Sequence, residues 1–317
     1  MADLLRPINQ ADLPELFELQ RRVEVHDNIP IVTPWEEFEE MADDPSINLA
    51  TGSVMMLRDD QAIGYGVIWA RQAAEADLAK VLVLGTVDPQ FRRQGVGSQI
   101  LAWTIERGRE LLATAAAHQE RFVRTHVYDF ETDAIALFER QGMNPIRYYA
   151  EMIRPLSEPI VSSVPKGIEI VGWDEERSEE VRQVLNGAFR DHWGSIPLDE
   201  ANWEHRLRHP GRRLDVSYIA LADGQVVGAS LNDHYPSDTE LTGRLDGWIG
   251  ALGTHRDFRK RGVASALVGV SFAAFRNLGW DHAMIGVDSE NPTGAYGLYQ
   301  QLGFRPLYRQ VQHQLQV

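Results

Sequence analysis

Arg92-Arg93-Gln94-Gly95-Val96-Gly97 and Arg259-Lys260-Arg261-Gly262-Val263-Ala264 are two occurrences of one pattern, Arg-x-x-Gly-x-Gly/Ala, 167 residues apart in a chain of 317. Each follows a β-like apolar run, Val81 to Val87 and Trp248 to Thr254, and each opens an amphipathic helix, Val96 to Leu112 and Gly262 to Leu278. A strand, a glycine-bearing turn and a helix start aim backbone N–H groups, and the positive end of a helix, at phosphate oxygens. Gly95 and Gly97 let the backbone approach a ligand without a Cβ in the way, and the N–H groups from Arg93 to Ser98 would point at it. Both turns are basic: Arg92 and Arg93 crowd one, Arg256, Arg259, Lys260 and Arg261 the other. Two matches in matching contexts point to a duplicated domain that binds a pyrophosphate.

A second repeat lies downstream. Ala134-x-x-Leu137-Phe138-x-x-x-Gly142-Met143 matches Ala295-x-x-Leu298-Tyr299-x-x-x-Gly303-Phe304 at an offset of 161. These residues together resemble the GNAT superfamily of acetyl-CoA-dependent N-acyltransferases. Its pattern is Arg/Gln-x-x-Gly-x-Gly/Ala followed, one helix and one strand later, by Asn-x-x-x-Ala-x-x-Leu-Tyr-x-x-x-Gly-Phe. The resemblance covers nearly the whole chain. It implies an α+β fold of two tandem GNAT-like domains, each a central mixed β-sheet flanked by helices. Pro155, Pro159 and Pro165, with Ser157, Ser162 and Ser163, mark a linker. The expected domains are therefore 1–156 and 166–317.

The elements repeat in order. Pro7 to Val25 reads as a loop and a helix with Asp12 as N-cap. Ser53 to Leu57 and Ala62 to Ala70 form a hairpin. Phe122 to Tyr128 is a strand, Thr132 to Arg140 a helix and Arg147 to Ile153 a closing strand. In the second half the order is strand Ile168 to Val171, helix Glu179 to Phe189, hairpin Tyr218 to Ala222 and Val226 to Asn232. After the signature strand and helix come strand Ala283 to Asp288, helix Gly294 to Leu302 and last strand Tyr308 to Leu315. Gly64-Tyr65-Gly66 sits within a strand and opens no helix, so it is not a dinucleotide fingerprint.

Composition bounds the chemistry. Hydrophobic content of 44% and charged content of 24% are ordinary for a globular chain. No apolar run reaches the ~18 residues that span a membrane, and the N-terminus lacks a signal-peptide pattern, so a cytoplasmic location is expected. The absence of cysteine removes disulfides and an acyl-cysteine mechanism, leaving direct transfer. A net charge of -15 disfavours nucleic acid and suits a cationic small molecule or simply solubility. Ten histidines without His-x-x-x-His spacing suggest no metal site. Monomer and homodimer stay open.

The resemblance assigns roles. The pyrophosphate of acetyl-CoA would lie on Arg259, Lys260, Arg261, Gly262, Val263 and Ala264, and in the first copy on Arg92, Arg93, Gln94, Gly95, Val96, Gly97 and Ser98. The backbone N–H of Thr254, aligned with Val87, would polarise the thioester carbonyl. Tyr299 would be the general acid for the leaving thiolate, and Asn291 stands at the family's asparagine. The first copy has Phe138 and Phe130 at those two places, so it is expected to be catalytically degenerate. Asp246, Asp288 and His255 are alternatives for the general base. Acceptor recognition falls to Arg190-Asp191-His192-Trp193-Gly194 and Trp203-Glu204-His205, with His26, Asp27 and Trp35 in the first copy. The function expected is acetyl transfer to a primary amine of a small molecule. The alternative is a non-catalytic acyl-CoA-binding sensor or scaffold.

Overall fold

The computed structural model describes residues 3–70, 78–159, 162–190, 192–193, 195–290 and 294–317. In chain order its elements begin with β1 (Leu4–Arg6), α1 (Leu13–Asp27), α2 (Trp35–Glu40), α3 (Leu49–Gly52), β2 (Ser53–Arg58), β3 (Gln61–Trp69) and β4 (Leu78–Val87). They continue with α4 (Val96–Leu112), β5 (Glu120–Tyr128), α5 (Thr132–Arg140), β6 (Asn144–Pro155) and β7 (Glu169–Gly172). Next come α6 (Ser178–Phe189), α7 (Glu200–Arg208), β8 (Tyr218–Ala222), β9 (Gln225–His234), α8 (Pro236–Thr242) and β10 (Asp246–Thr254). The last are α9 (Val263–Asn277), β11 (His282–Asp288), α10 (Ala295–Gln301) and β12 (Arg305–Gln316). The expected elements are present, with β1, α2, α3, α7 and α8 added to them. Asp12 precedes α1 but does not cap it. Asn9 caps the short turn ahead of the helix, while the Asp12 carboxylate takes two hydrogen bonds from Arg6 at 2.6 and 2.7 Å.

Two compact units divide the chain, but not at the linker. One comprises Met1–Arg147 with Gln310–Val317, the other Tyr148–Arg309. The closing strands are exchanged relative to the 1–156 and 166–317 division. Residues 310–316 of β12 run antiparallel beside Phe122–Tyr128 of β5 in the first unit. Residues 149–155 of β6 run antiparallel beside His282–Asp288 of β11 in the second. The reason is visible in the side chains. Met152 and Ala150 of β6 are buried against Phe272 and Ile285, whereas Val311 and His313 of β12 are buried in the first unit, His313 beside Phe138. Burying a methionine stabilises by roughly 1.5–3 kcal/mol, and the face each strand offers matches the unit it joins.

Within each unit the sheet separates two helical layers. Alternation along β2 sends Met55 toward Leu16 and Leu19 of α1, and Val54 and Met56 toward Val96 and Ile100 of α4. In the second unit Val181 and Leu185 of α6 pack on Ile219, Leu231 and Ala251, while Val268, Phe272 and Phe275 of α9 pack on Ile249, Ala283 and Ile285. Within each unit the strands pair antiparallel except for one parallel pair, β4 with β5 and β10 with β11.

Candidate functional site

The two signature turns repeat one backbone. A short 3-10 turn, Pro89–Phe91 or Arg256–Phe258, follows the strand and is capped by Asp88 or His255. Arg92 and Arg259 are extended, at φ -67° and -64°. Arg93 and Lys260 then take φ of 61° and 59°, and Gly95 and Gly262 both take 86°. A glycine is required at the last position, because that left-handed conformation strains any side chain. Gly95 and Gly262 immediately precede α4 and α9, and neither helix start has a side-chain cap. Their first N–H groups are therefore left for a ligand. Buried Val96 and Val263 anchor the first turn of each helix; Gly97 and Ala264 are half-buried, as is Ser98.

The side chains around the two turns differ. In the first unit Arg92 makes a bidentate pair with Asp27 of α1 at 2.7 and 2.6 Å. Arg93 pairs with Asp133 of α5, and Gln94 accepts from Arg58 at 2.6 Å. In the second unit Arg259 donates to the Ala188 carbonyl at 3.1 Å, and Arg261 lies over the Phe258 ring. Lys260 and Arg261 have no carboxylate partner among the described residues.

Behind each turn the central strands part. β10 pairs with β11 only from Asp246 to Ile249, although it stays paired with β9 as far as Thr254. β4 pairs with β5 only from Leu78 to Leu82, although it stays paired with β3 as far as Val87. One edge of residues 250–254, and of 83–87, is thus open beside its former partner, a place where an extended ligand can add like a strand. An open strand edge leading to a basic, uncapped helix start fits the pantetheine arm and pyrophosphate of coenzyme A.

Tyr299 of α10 is buried beside Phe304, and its hydroxyl makes no hydrogen bond to a described residue. Burial pushes that hydroxyl up to about 12. Phe138 holds the matching place in the first unit, packed against His313. Asn291 lies outside the described residues, as do Asp191 and Gly194. Trp203 is a core residue whose Nε1 donates to Ser178, and Glu204 pairs with Arg208 on an exposed helix face. Asp27 is engaged by Arg92 and Trp35 packs on Phe17. Among the base alternatives, Asp246 is held by Arg244 at 2.9 Å, with His282 at 3.3 Å. Asp288 caps its own turn, and His255 caps the signature turn.

A cavity of about 300 Å³ opens in the second unit, lined by Arg206, His209, Arg212, Asp233, Tyr235, Trp248 and Gly250. Gly250 sits at a bulge in β10, where the register shifts between Ile249 and Ala251. A Cβ there would lie 1.8 Å from Asp233 Oδ2, so only glycine admits that carboxylate. Burial raises Asp233 to about 6 against the opposing pull of Arg212 and Arg206. Asp233 was not among the expected residues. A carboxylate near the end of an apolar strand, facing a glycine in the next, was its one signal.

The acetyltransferase (GNAT) family profile matches residues 13–143 and again 178–304. Mycothiol acetyltransferase of Rhodococcus erythropolis is 24% identical over 259 residues, covering 78% of this chain and 79% of the relative. Its Salinispora arenicola counterpart is 28% identical over 238 residues, covering 72% and 71%. A GCN5-related N-acetyltransferase from Sphaerobacter thermophilus superposes with a TM-score of 0.74 at 24% identity, over 99% of this chain and 95% of that one. A tandem GNAT protein from the clavulanic acid biosynthesis pathway does so at 0.74 and 16%, over 99% and 98%. No described helix is long and apolar enough to cross a membrane. The chain belongs to the GNAT acetyltransferase family, carries its domain twice, and is an N-acyltransferase.

Proposed function

We propose that this protein transfers an acetyl group from acetyl-CoA to a primary amine of a small molecule, and that the second unit performs the chemistry. The supporting observation is Tyr299, a buried tyrosine whose hydroxyl makes no hydrogen bond to a described residue, where the first unit has Phe138. Acetyl-CoA supplies an acyl thioester. The turn from Arg259 to Ala264 would hold its pyrophosphate, with Lys260 and Arg261 contributing charge. The Thr254 N–H, on the open stretch of β10, would polarise the thioester carbonyl. Burial keeps Tyr299 protonated at neutral pH, ready to give its proton to the departing sulfur. Acetyl as the acyl group is supported by the relatives, which are acetyltransferases by name. Phenylalanine packs as tyrosine does but has no proton to give, and Asp27 and Asp133 occupy the arginines of the first turn. Both observations favour a non-catalytic first unit.

The test is coenzyme A release from acetyl-CoA across a panel of small amines. Release is expected with at least one amine, and Tyr299→Phe is expected to lower kcat by roughly 10²- to 10³-fold with acetyl-CoA affinity unchanged. An unchanged kcat removes Tyr299 from the mechanism. Binding without release for every amine favours the sensor reading of the whole chain.

A further inference from the structure

We propose that the cavity at the β10 bulge receives the acceptor amine, and that Asp233 is the base that takes its proton. This rests on the second unit being the catalytic one. The cavity touches β10 at Gly250, the first residue of the stretch that has left β11. An amine lodged there lies against the strand edge on which the acyl donor is expected. Asp233 Oδ2 fills the space that a side chain on exposed Gly250 would take, and both residues line the cavity. Tyr235 and Trp248 line the same space and can flank an ammonium-bearing substrate.

The charged and titratable groups facing Asp233 are Arg212, Arg206, His209 and Tyr235. Arg212 Nη1 approaches Asp233 Oδ1 at 2.8 Å, yet the two atoms are not aligned for a hydrogen bond. The pair with Arg212 moderates the cost of the buried charge, but burial outweighs it, leaving a base near neutrality. Burial, then Arg212, pushes His209 down to about 4, so it is neutral where the enzyme would work. Asp246, Asp288 and His255 do not line this cavity; Asp233 is the carboxylate that does.

The protons balance. As the C–N bond forms and the C–S bond breaks, the acceptor ammonium gives up two protons. Asp233 takes the first and returns it to solvent through the cavity mouth. The second replaces the proton that Tyr299 has delivered to sulfur.

Asp233→Asn and Asp233→Glu test this, with thermal unfolding and acetyl-CoA titration as controls of folding and donor binding. With saturating acetyl-CoA, wild-type turnover is expected to fall as pH drops through about 6, because the base becomes protonated. D233N is expected to lose roughly 10²- to 10³-fold in kcat and that limb with it, while D233E recovers part of the rate and a shifted limb. Carbon-13 labelling of aspartate carboxyls gives a readout without turnover. One resonance of the free wild-type protein, assigned by its loss in D233N and D233E, is expected to titrate near 6. D233N with wild-type kcat and pH profile overturns the assignment but leaves acetyl transfer standing, as does a carboxyl titrating near the ordinary value of about 3.9. A wild type that releases no coenzyme A with any amine overturns acetyl transfer itself.

Discussion

Arg92 and Arg259 occupy the same place in two turns whose key dihedrals, -67° and -64°, then 61° and 59°, then 86° and 86°, coincide. Around that shared backbone the arginines of the first turn pair with Asp27 and Asp133, while Lys260 and Arg261 of the second meet no carboxylate among the described residues. The same divergence separates Phe138 from Tyr299. Duplication has preserved the geometry that glycine and helix start dictate, and the side chains that give it chemistry have drifted. On the proposed reading, the charges left available around a phosphate-binding shape, more than the shape itself, mark the unit that binds.

The largest effect expected from this contrast is at the glycines. Gly262→Asp sets a carboxylate against the uncapped start of α9, in a backbone conformation that strains any side chain. It is expected to weaken acetyl-CoA binding roughly 100-fold, or ~2.8 kcal/mol by calorimetric titration. Gly95→Asp is expected to leave the catalytic site untouched. Equal losses in both variants would dissolve the distinction between the units.

A smaller effect is expected at Asp27. Burial pushes its carboxyl up, but hydrogen bonds from Arg92 and then His26 more than offset that and leave it below the usual range. A depressed carboxyl stabilises the fold above its unfolded value of about 3.9, and that stability is lost as pH falls through the folded value. Asp27→Asn should therefore cost about 1 kcal/mol at neutral pH, and its melting temperature should converge with wild type in acid. With Asp133→Asn added, a second weak acetyl-CoA site is expected in the first unit if the carboxylates are what close it. The smallest effect is expected from Gly97→Ala. The new Cβ would stand 3.2 Å from Leu137 Cδ2, a displacement of a few tenths of an ångström, and Ala264 already fills the matching position. Less than ~1 kcal/mol should separate it from wild type in thermal unfolding.

How far the chain was readable follows from which interactions are local. Helices α4 and α5 lie where the 3.6-residue period and the glycines place them, and the hairpin of β2 and β3 turns where Asp59 and Asp60 accept positive φ. The strand exchange was not readable. β6 and β12 both pair antiparallel with the strand beside them, so local pattern marks each as a closing strand without saying which unit it closes. Contacts such as Met152 against Phe272 and His313 against Phe138 decide, and those are remote in sequence. Trp203 looked like a recognition residue because aromatic side chains serve pockets and cores alike; here it is core. Asp233 was missed because its setting depends on Gly250 at a bulge in the neighbouring strand, a proximity that periodicity does not reveal.

The central claim is that a shared fold carries chemistry only where the proton donor remains, and exchanging the two aromatic residues tests it most directly. Coenzyme A release should be measured for Tyr299→Phe and for the double variant Phe138→Tyr with Tyr299→Phe. The expected result is a loss of roughly 10²-fold or more in kcat for the single variant, with no recovery in the double, because the first turn's arginines stay bound to Asp27 and Asp133. Turnover that survives Tyr299→Phe, or returns when tyrosine is placed at 138, would contradict the account.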